Sequence, residues 1–357
     1  MRSVRLINFG TTDPLRSQAV YHGLAEAMEP GDDPIVDLVT PNDQYVCVGA
    51  HQRLDRVVDR QAAETAGLPV YRRRVGGGTV LLDSDQLFWH VIFPPDAVPA
   101  DVGTLFETYL DPVIETFRRI GVDAAYEPVN DIVVDGRKIT GTGAGTIADA
   151  IALVGSFMFD FDVETMVDIT PTPSAAYAET MRRGLENNMT TLSAELDTVP
   201  WVPTLVELFT ETLMERLDWR LHPSAVTDHE QRAISDAADR LTDPAWLNRS
   251  GLSTDGRDSR KLTADTRLVV GHQETTGGDL TATVVERAGT VDDIELTGDI
   301  QVLSTADLDD VAADLIGTDI DRDALVTTAA DSMERNDVVL PGVAADDIAS
   351  AILDASA

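Results

Sequence analysis

The first nine residues alternate between apolar and polar positions, which predicts a strand. From about Pro14 to Met28, in "DPLRSQAVYHGLAEAM", the apolar positions fall at helical spacing behind an Asp-Pro start. "PIVDLVTP" and "QYVCVGAHQ" are two short apolar runs parted by a Pro-Asn-Asp turn, and both predict strands. "LDRVVDRQAAETAG" predicts a helix that Gly67 terminates. "PVYRRRVGGGTVLLDSDQLFWHVIFP" predicts two or three strands, broken at the glycine triplet and at "DSDQ". "VGTLFETYLDPVIETFRRIG" has the period of a long amphipathic helix, again stopped by glycine. "DAAYEPVNDIVVDGRKITGTGAG" predicts strand, turn and strand, with Asp135-Gly136 at a tight hairpin. "AIALVGSFMFDFD" predicts a buried strand. Strands and helices mix without regular βαβ alternation, so the predicted class is α+β.

After about Leu247 the texture changes. "NRSGLSTDGRDSRKLTADT" is polar and aperiodic, which predicts a linker over 248–261. Beyond it come three short strand patterns and three helical ones, "TADLDDVAADLIG", "DRDALVTTAADSM" and "AADDIASAILDAS". The expected organisation is a first domain over 1–247 and a small α+β domain over 262–357.

Charge changes the picture of the solvent more than of the activity. The 357 residues carry 62 acidic against 27 basic side chains, a net charge of −35. With 43% hydrophobic residues the chain can bury a proper core, which argues against disorder. So acidic a surface repels phosphate backbones and disfavours nucleic acid as a partner. It suits molar salt, where the Debye length is about 3 Å and self-repulsion is screened. A halophilic source is therefore expected. No apolar run of ~18 residues predicts a membrane span, and the start is too short in apolar residues for a secretory signal, so a cytoplasmic location is expected. The single cysteine, Cys47, excludes an intrachain disulfide and any cysteine metal cluster; no metal ligands are expected.

Of the 27 basic residues only two are lysines, Lys138 and Lys261. Lys138 lies in "NDIVVDGRKITGTGAG". A lysine presents a compact ammonium with three donors, an arginine a broad planar fork. Its retention in an arginine-rich chain points to a centre where one small cation must sit between two oxygens. Lys261 falls in the linker and is expected to be solvated. The other candidate is "RRRVGGGTV", Arg72 to Val80. Three arginines beside three glycines offer charge and a backbone that a phosphate can approach. It is not a GxxxxGK[ST] loop. His90 is expected to be a satisfied core histidine, Cys47 a buried apolar residue, and Asp83 and Asp85 turn caps.

Together these segments resemble the lipoate–protein ligases. "RRRVGGGTVLLDSDQLFWHVIF" resembles that family's RRxSGGGxVxHDxGN segment, "NDIVVDGRKITGTGAG" its lysine block, and "GLENNMTTLSAEL" its closing region. The order and spacings cover residues 1–245, and the last hundred residues resemble the accessory C-terminal domain. The resemblance implies the biotin/lipoate-ligase fold, of mixed sheets with flanking helices. It also implies a two-step reaction, in which lipoate and ATP, with Mg2+ expected alongside, give lipoyl-AMP. A carrier lysine then accepts the lipoyl group. The implied carriers are the acyltransferase subunit of 2-oxoacid dehydrogenase complexes and the glycine cleavage H protein. Carried over by position, Arg73, Gly76, Gly77, Gly78, Thr79, Val80, Leu81, Asn130, Asp131 and Lys138 bind ATP or the adenylate. Lys138 and Gly141 bind lipoate, and Lys138 is catalytic. Val75, Leu81, Gln86 and Val154 depart from the family pattern. The alternatives are an octanoyl or lipoyl transferase, whose thioester chemistry needs a cysteine that is missing from Gly155 onward, and a non-catalytic lipoyl-carrier-binding protein. A biotin ligase lacks support because its GRGRxGR-type loop is absent. The accessory domain, lacking both motifs, is expected to close over the nucleotide.

Overall fold

The computed structural model describes residues 1–97, 102–249, 252, 259–263 and 265–356. Its main sheet has eight strands among the described residues. From edge to edge they are Trp219–Pro223, Arg2–Thr12, Ile35–Pro41, Gln86–Phe93, Ala150–Met158, Arg137–Ile147, Asp131–Val134 and Ala125–Glu127. Arg2–Thr12 is parallel to both its neighbours; every other pairing is antiparallel.

The central strand Gln86–Phe93 is buried at every position. Its odd positions, Leu87, Trp89, Val91 and Phe93, enter one core with Phe106, Phe117, Phe157 and Phe209. Its even positions Phe88 and Ile92 enter another with Val20, Tyr21 and Leu24. This is the two-residue period of a strand covered on both faces. Helices Val102–Arg119 and Val202–Leu217 cover the first face. Pro14–Glu26 and Asp228–Leu241 cover the second. The first of these starts on an Asp13 side chain that accepts from the Arg16 N–H, with Pro14 in its first turn. The two helices cross closely at Gly23, where a Cβ would stand 2.3 Å from Ile234 Cα.

The expected helix over 54–67 is two pieces, Leu54–Val57 and Arg60–Thr65. Asp59 breaks it by capping the second piece, its carboxylate accepting from Ala62 N–H at 3.0 Å. The two strands expected over 34–52 are present but diverge. Ile35–Pro41 joins the large sheet, while Tyr45–Val48 is the centre of a three-stranded sheet between Val70–Arg72 and Val80–Leu82.

The C-terminal residues fold on their own core. Four antiparallel strands, Ser259–Lys261, Thr266–Thr275, Gly278–Arg287 and Thr290–Gly298, are backed by helices Leu308–Leu315, Arg322–Arg335 and Ala345–Ser356. That is one strand more than the three expected. Of the expected linker, residues 250–251 and 253–258 lie outside the described residues. Ser259–Lys261 is a strand on which Lys261 is exposed. No helix among the described residues is long and apolar enough to cross a membrane.

Candidate functional site

The site grows from a hairpin. Asp135 and Gly136 both have positive φ, 50° and 74°, as the tight turn between Asp131–Val134 and Arg137–Ile147 requires. A register shift at Ile132/Val133 sets Lys138 opposite Val133. Its ammonium then reaches back along the hairpin to Asp131, with Nζ 2.7 Å from Oδ1. The lysine side chain is 39% exposed, so the ion pair leaves donors free for a ligand. The Lys138 carbonyl accepts from Thr190 N–H at 2.9 Å, which ties the strand to the segment after helix Ala175–Asn188. Gly141 makes room for the lysine stem: a Cβ there would lie 3.3 Å from Lys138 Cε. Asn130 donates to the Thr142 carbonyl, and the Thr142 hydroxyl donates to the Asn130 carbonyl. Asn130, Asp131, Lys138 and Gly141 thus form one cluster.

The arginine–glycine segment lies against the same strand. Val75 is fully buried and fills the space left by two glycines, since a Cβ on Gly143 or Gly145 would come within 3.1 or 3.3 Å of it. Val75, expected to depart from the family pattern, is therefore a packing wedge between the two motifs. Val154, another departure, borders the same spot, 3.7 Å from the Cβ position at Gly143.

The three arginines do not form a free phosphate fork. Arg72 is buried and fans onto the carbonyls of Gly49, Ala50, Gln52 and Leu247. Burial pulls its pKa down to about 10, which still leaves it cationic at neutral pH. Arg73 donates to the carbonyls of Gly76 at 2.7 Å and Gly78 at 2.8 Å, with a longer bond to Cys47. It braces the loop from inside. Arg74 pairs with Glu26, and its backbone N–H donates to His22 Nε2 at 3.0 Å.

The glycines also differ from one another. Gly77 has φ +88°, and Gly76 is crossed by the backbone of Ile300 from the C-terminal unit. Gly78 is the open one: its Cβ position has only Asp299 nearby, at 3.9 Å. Thr79 is held through its hydroxyl to Gln52 Oε1 at 2.9 Å. The Val80 side chain is exposed, and Leu81 is buried in a separate small core. Among the expected residues, Arg73 and Leu81 therefore support the loop rather than face the Lys138 ammonium. Sequence reasoning missed His22, Gln52, Asp299 and Gln301. None stands in a recognisable spacing, and each acts through a contact across the fold.

The remaining candidates are structural. His90 Nδ1 lies 2.7 Å from Oδ1 of the buried Asp37, so the histidine is a partnered core residue as expected, while Asp37 Oδ2 has no hydrogen-bond partner. Asp83 caps its turn by accepting from Asp85 N–H. Cys47 is buried without exposure, and burial pushes its thiol pKa up although Arg73 beside it pulls the other way. Among the described residues no three His, Cys, Asp or Glu side chains gather as a metal site.

A half-exposed ammonium beside an open glycine turn can hold an anionic reactant and stabilise charge growing on it. Residues 13–217, more than half of the chain, match the lipoyl protein ligase A/B catalytic domain family. The chain belongs to that family. It is an enzyme of the lipoate ligase and transferase group. Octanoyltransferase LipM of Staphylococcus aureus is 22% identical over 269 residues, 68% of this chain and 97% of that protein. Lipoate-protein ligase LplJ of Bacillus subtilis is 29% identical over 160 residues, 45% of this chain and 47% of that protein. Among solved structures, the bi-partite lipoate protein ligase of Thermoplasma acidophilum superposes with a TM-score of 0.65 at 18% identity. It covers 71% of this chain and all of that one. P. falciparum LipL1 in complex with lipoate has a TM-score of 0.65 at 12% identity, over 91% of this chain and 93% of that one. These likenesses establish the biotin/lipoate-ligase catalytic fold, and the last extends over most of the C-terminal unit as well.

Proposed function

We propose that this family member is a lipoate–protein ligase. It uses ATP to convert lipoate to lipoyl-AMP, releasing pyrophosphate, and passes the lipoyl group to a carrier lysine, releasing AMP. The observation that carries this reading is the state of Cys47. It is the only cysteine in the chain, it is fully buried, and burial pushes its thiol pKa up, away from thiolate. An acyl-thioester route needs an accessible thiolate. Activation of the carboxylate as an adenylate needs none.

In the first step the lipoate carboxylate attacks the α-phosphorus and pyrophosphate leaves. Lys138 is positioned to bridge the two reactants, and Asp131 aims its ammonium. Asn130 and Thr142 fix the strand that carries them, Arg73 keeps the loop in shape, and Gly78 leaves the approach open. The Mg2+ expected with ATP would ride on the phosphates rather than in a protein cage. In the second step a carrier ε-amine attacks the acyl carbon and AMP departs. The carriers expected are lipoyl domains of 2-oxoacid dehydrogenase complexes and the glycine cleavage H protein. Pyrophosphate release that requires both ATP and lipoate, followed by a lipoyl mass gain on a carrier domain, is the expected result. ATP-independent transfer from an octanoyl carrier protein, without pyrophosphate, would refute it. That outcome would establish the second reading, octanoyl transfer, which similarity to the LipM proteins over nearly their whole length supports.

A further inference from the structure

The last strand of the C-terminal sheet runs into Gly298-Asp299-Ile300-Gln301, and this segment lies on the glycine loop. Gly298 N–H donates to the His51 carbonyl at 3.0 Å, and Gly77 N–H to the Ile300 carbonyl at 3.1 Å. Ala144 N–H donates to Gln301 Oε1 at 2.7 Å, in a buried bond. A Cβ on Gly76 would stand 2.1 Å from the Ile300 oxygen, so the segment crosses where the loop is bare. Asp299 is fixed by the Asp279 N–H, which donates to its Oδ1 at 2.5 Å. Its Oδ2 lies 3.9 Å from the Cβ position at Gly78. Burial pushes the Asp299 carboxyl up; the Asp279 N–H pulls it back, and so does the nearby Lys138 ammonium.

The Gly77 and Ala144 donors that face this crevice are therefore already partnered, and a carboxylate stands beside the one open glycine. One N–H cannot serve the Ile300 carbonyl and a phosphate oxygen at once. A carboxylate beside Gly78 also repels a phosphate arriving there. We propose that Gly298–Gln301 is an internal occupant of the phosphate subsite, with the Asp299 carboxylate in the place of a phosphate group, so that a nucleoside triphosphate and this segment compete for the loop. The proposal rests on reading that loop as the nucleotide site. Lys138 is the cation for both occupants. The docked C-terminal unit then precedes the nucleotide and must lift for it, rather than close onto it.

The test titrates MgATP, and separately inorganic tripolyphosphate, into the full-length protein, D299N and D299E by calorimetry. Asparagine keeps an oxygen acceptor for Asp279 N–H and removes only the charge. D299N is expected to bind both ligands about three- to tenfold tighter than the native protein, as for a like charge removed from near a phosphate. The gain should shrink in high salt. D299E should bind no tighter than the native protein. A folded D299N with unchanged or weaker triphosphate affinity overturns the proposal. Hydrogen exchange on the native protein gives a readout that needs no variant. Saturating tripolyphosphate is expected to deprotect the Gly298 amide, and unchanged protection there also overturns the proposal. Triphosphate binding with this deprotection, but no pyrophosphate from ATP and lipoate, would sink the ligase reading and leave the competition standing. Binding of neither ligand overturns the competition itself.

Discussion

Protonation of His22 is expected to be the acid weak point of the site. The imidazole is buried against the ring of Tyr21, with centroids 4.0 Å apart. Its Nδ1 donates to the Gln18 carbonyl at 2.7 Å and its Nε2 accepts from the Arg74 N–H at 3.0 Å. Only the neutral ring fits, because a proton on Nε2 would face another N–H. Burial, reinforced by Arg74, His90 and Arg240 and opposed by the bond to Gln18, lowers its pKa from 6.5 to about 3. A histidine whose folded pKa is depressed stays neutral while the unfolded chain takes up protons. Its stabilising contribution is therefore complete above pH 6.5 and is lost as pH falls from there toward 3. With 1.36 kcal/mol per pH unit, the loss is roughly 2 kcal/mol at pH 5 and roughly 4 kcal/mol at pH 3. Carboxylates also titrate in acid, so the measurement is a difference. Denaturant unfolding of the native protein and of H22Q at pH 8, 6.5 and 5, all at one molar-salt concentration, isolates the histidine. Glutamine at position 22 has no charge to gain. H22Q should be less stable at pH 8 by about 1 kcal/mol, the worth of a typical hydrogen bond. That deficit should vanish or reverse by pH 5. Parallel stability curves from pH 8 to 5 would refute the assignment of His22 as a buried neutral base that holds Arg74.

K138R keeps the charge but not the compact ammonium. Pyrophosphate release from ATP and lipoate should fall about 100-fold or more, with the melting temperature nearly unchanged; near-native release would remove Lys138 from the catalytic role. The two glycines on either side of Gly77 should separate a structural from a functional position. G76A places a methyl 2.1 Å from the Ile300 oxygen and should cost about 1–3 kcal/mol in denaturant unfolding. G78A meets nothing closer than 3.9 Å; it should leave stability within about 0.5 kcal/mol and raise the KM for ATP. Finally, the charge of −35 predicts a melting temperature that falls as KCl is diluted from molar to millimolar concentration. A rise on desalting contradicts the halophilic reading.

Local patterns were legible where physics is local. The helical period of Val102–Arg119, the Asp135-Gly136 hairpin and the three C-terminal helices all depend on neighbours within a few residues, and they stand where the pattern puts them. The break at Asp59 was hidden because its cap lies inside a run that keeps a helical period. The parting of Ile35–Pro41 from Tyr45–Val48 was also hidden, since short apolar strands carry no address for the sheet they join. The Arg72–Arg74 run is the instructive case. Its charge suggested a ligand, whereas its partners are carbonyls up to 175 residues away and one carboxylate. Nothing in the run itself distinguishes those two uses.

Composition nevertheless carried information about geometry. Arg72 shows what the arginine background is suited to: one planar guanidinium reaches four carbonyls from two chain segments, a span no ammonium could cover. Lys138 occupies the opposite environment. Its stem runs over a glycine, its head meets one carboxylate oxygen, and more than a third of the side chain remains open to whatever enters. A fork is suited to engage both Asp131 oxygens at once, which would use up donors that the ammonium leaves spare. A point charge with spare donors suits that place, whereas the other lysine, Lys261, is exposed on Ser259–Lys261 and shows that scarcity alone does not mark a site. On that ground we propose the scarce lysine, and not the abundant arginine beside it, as the centre of the site.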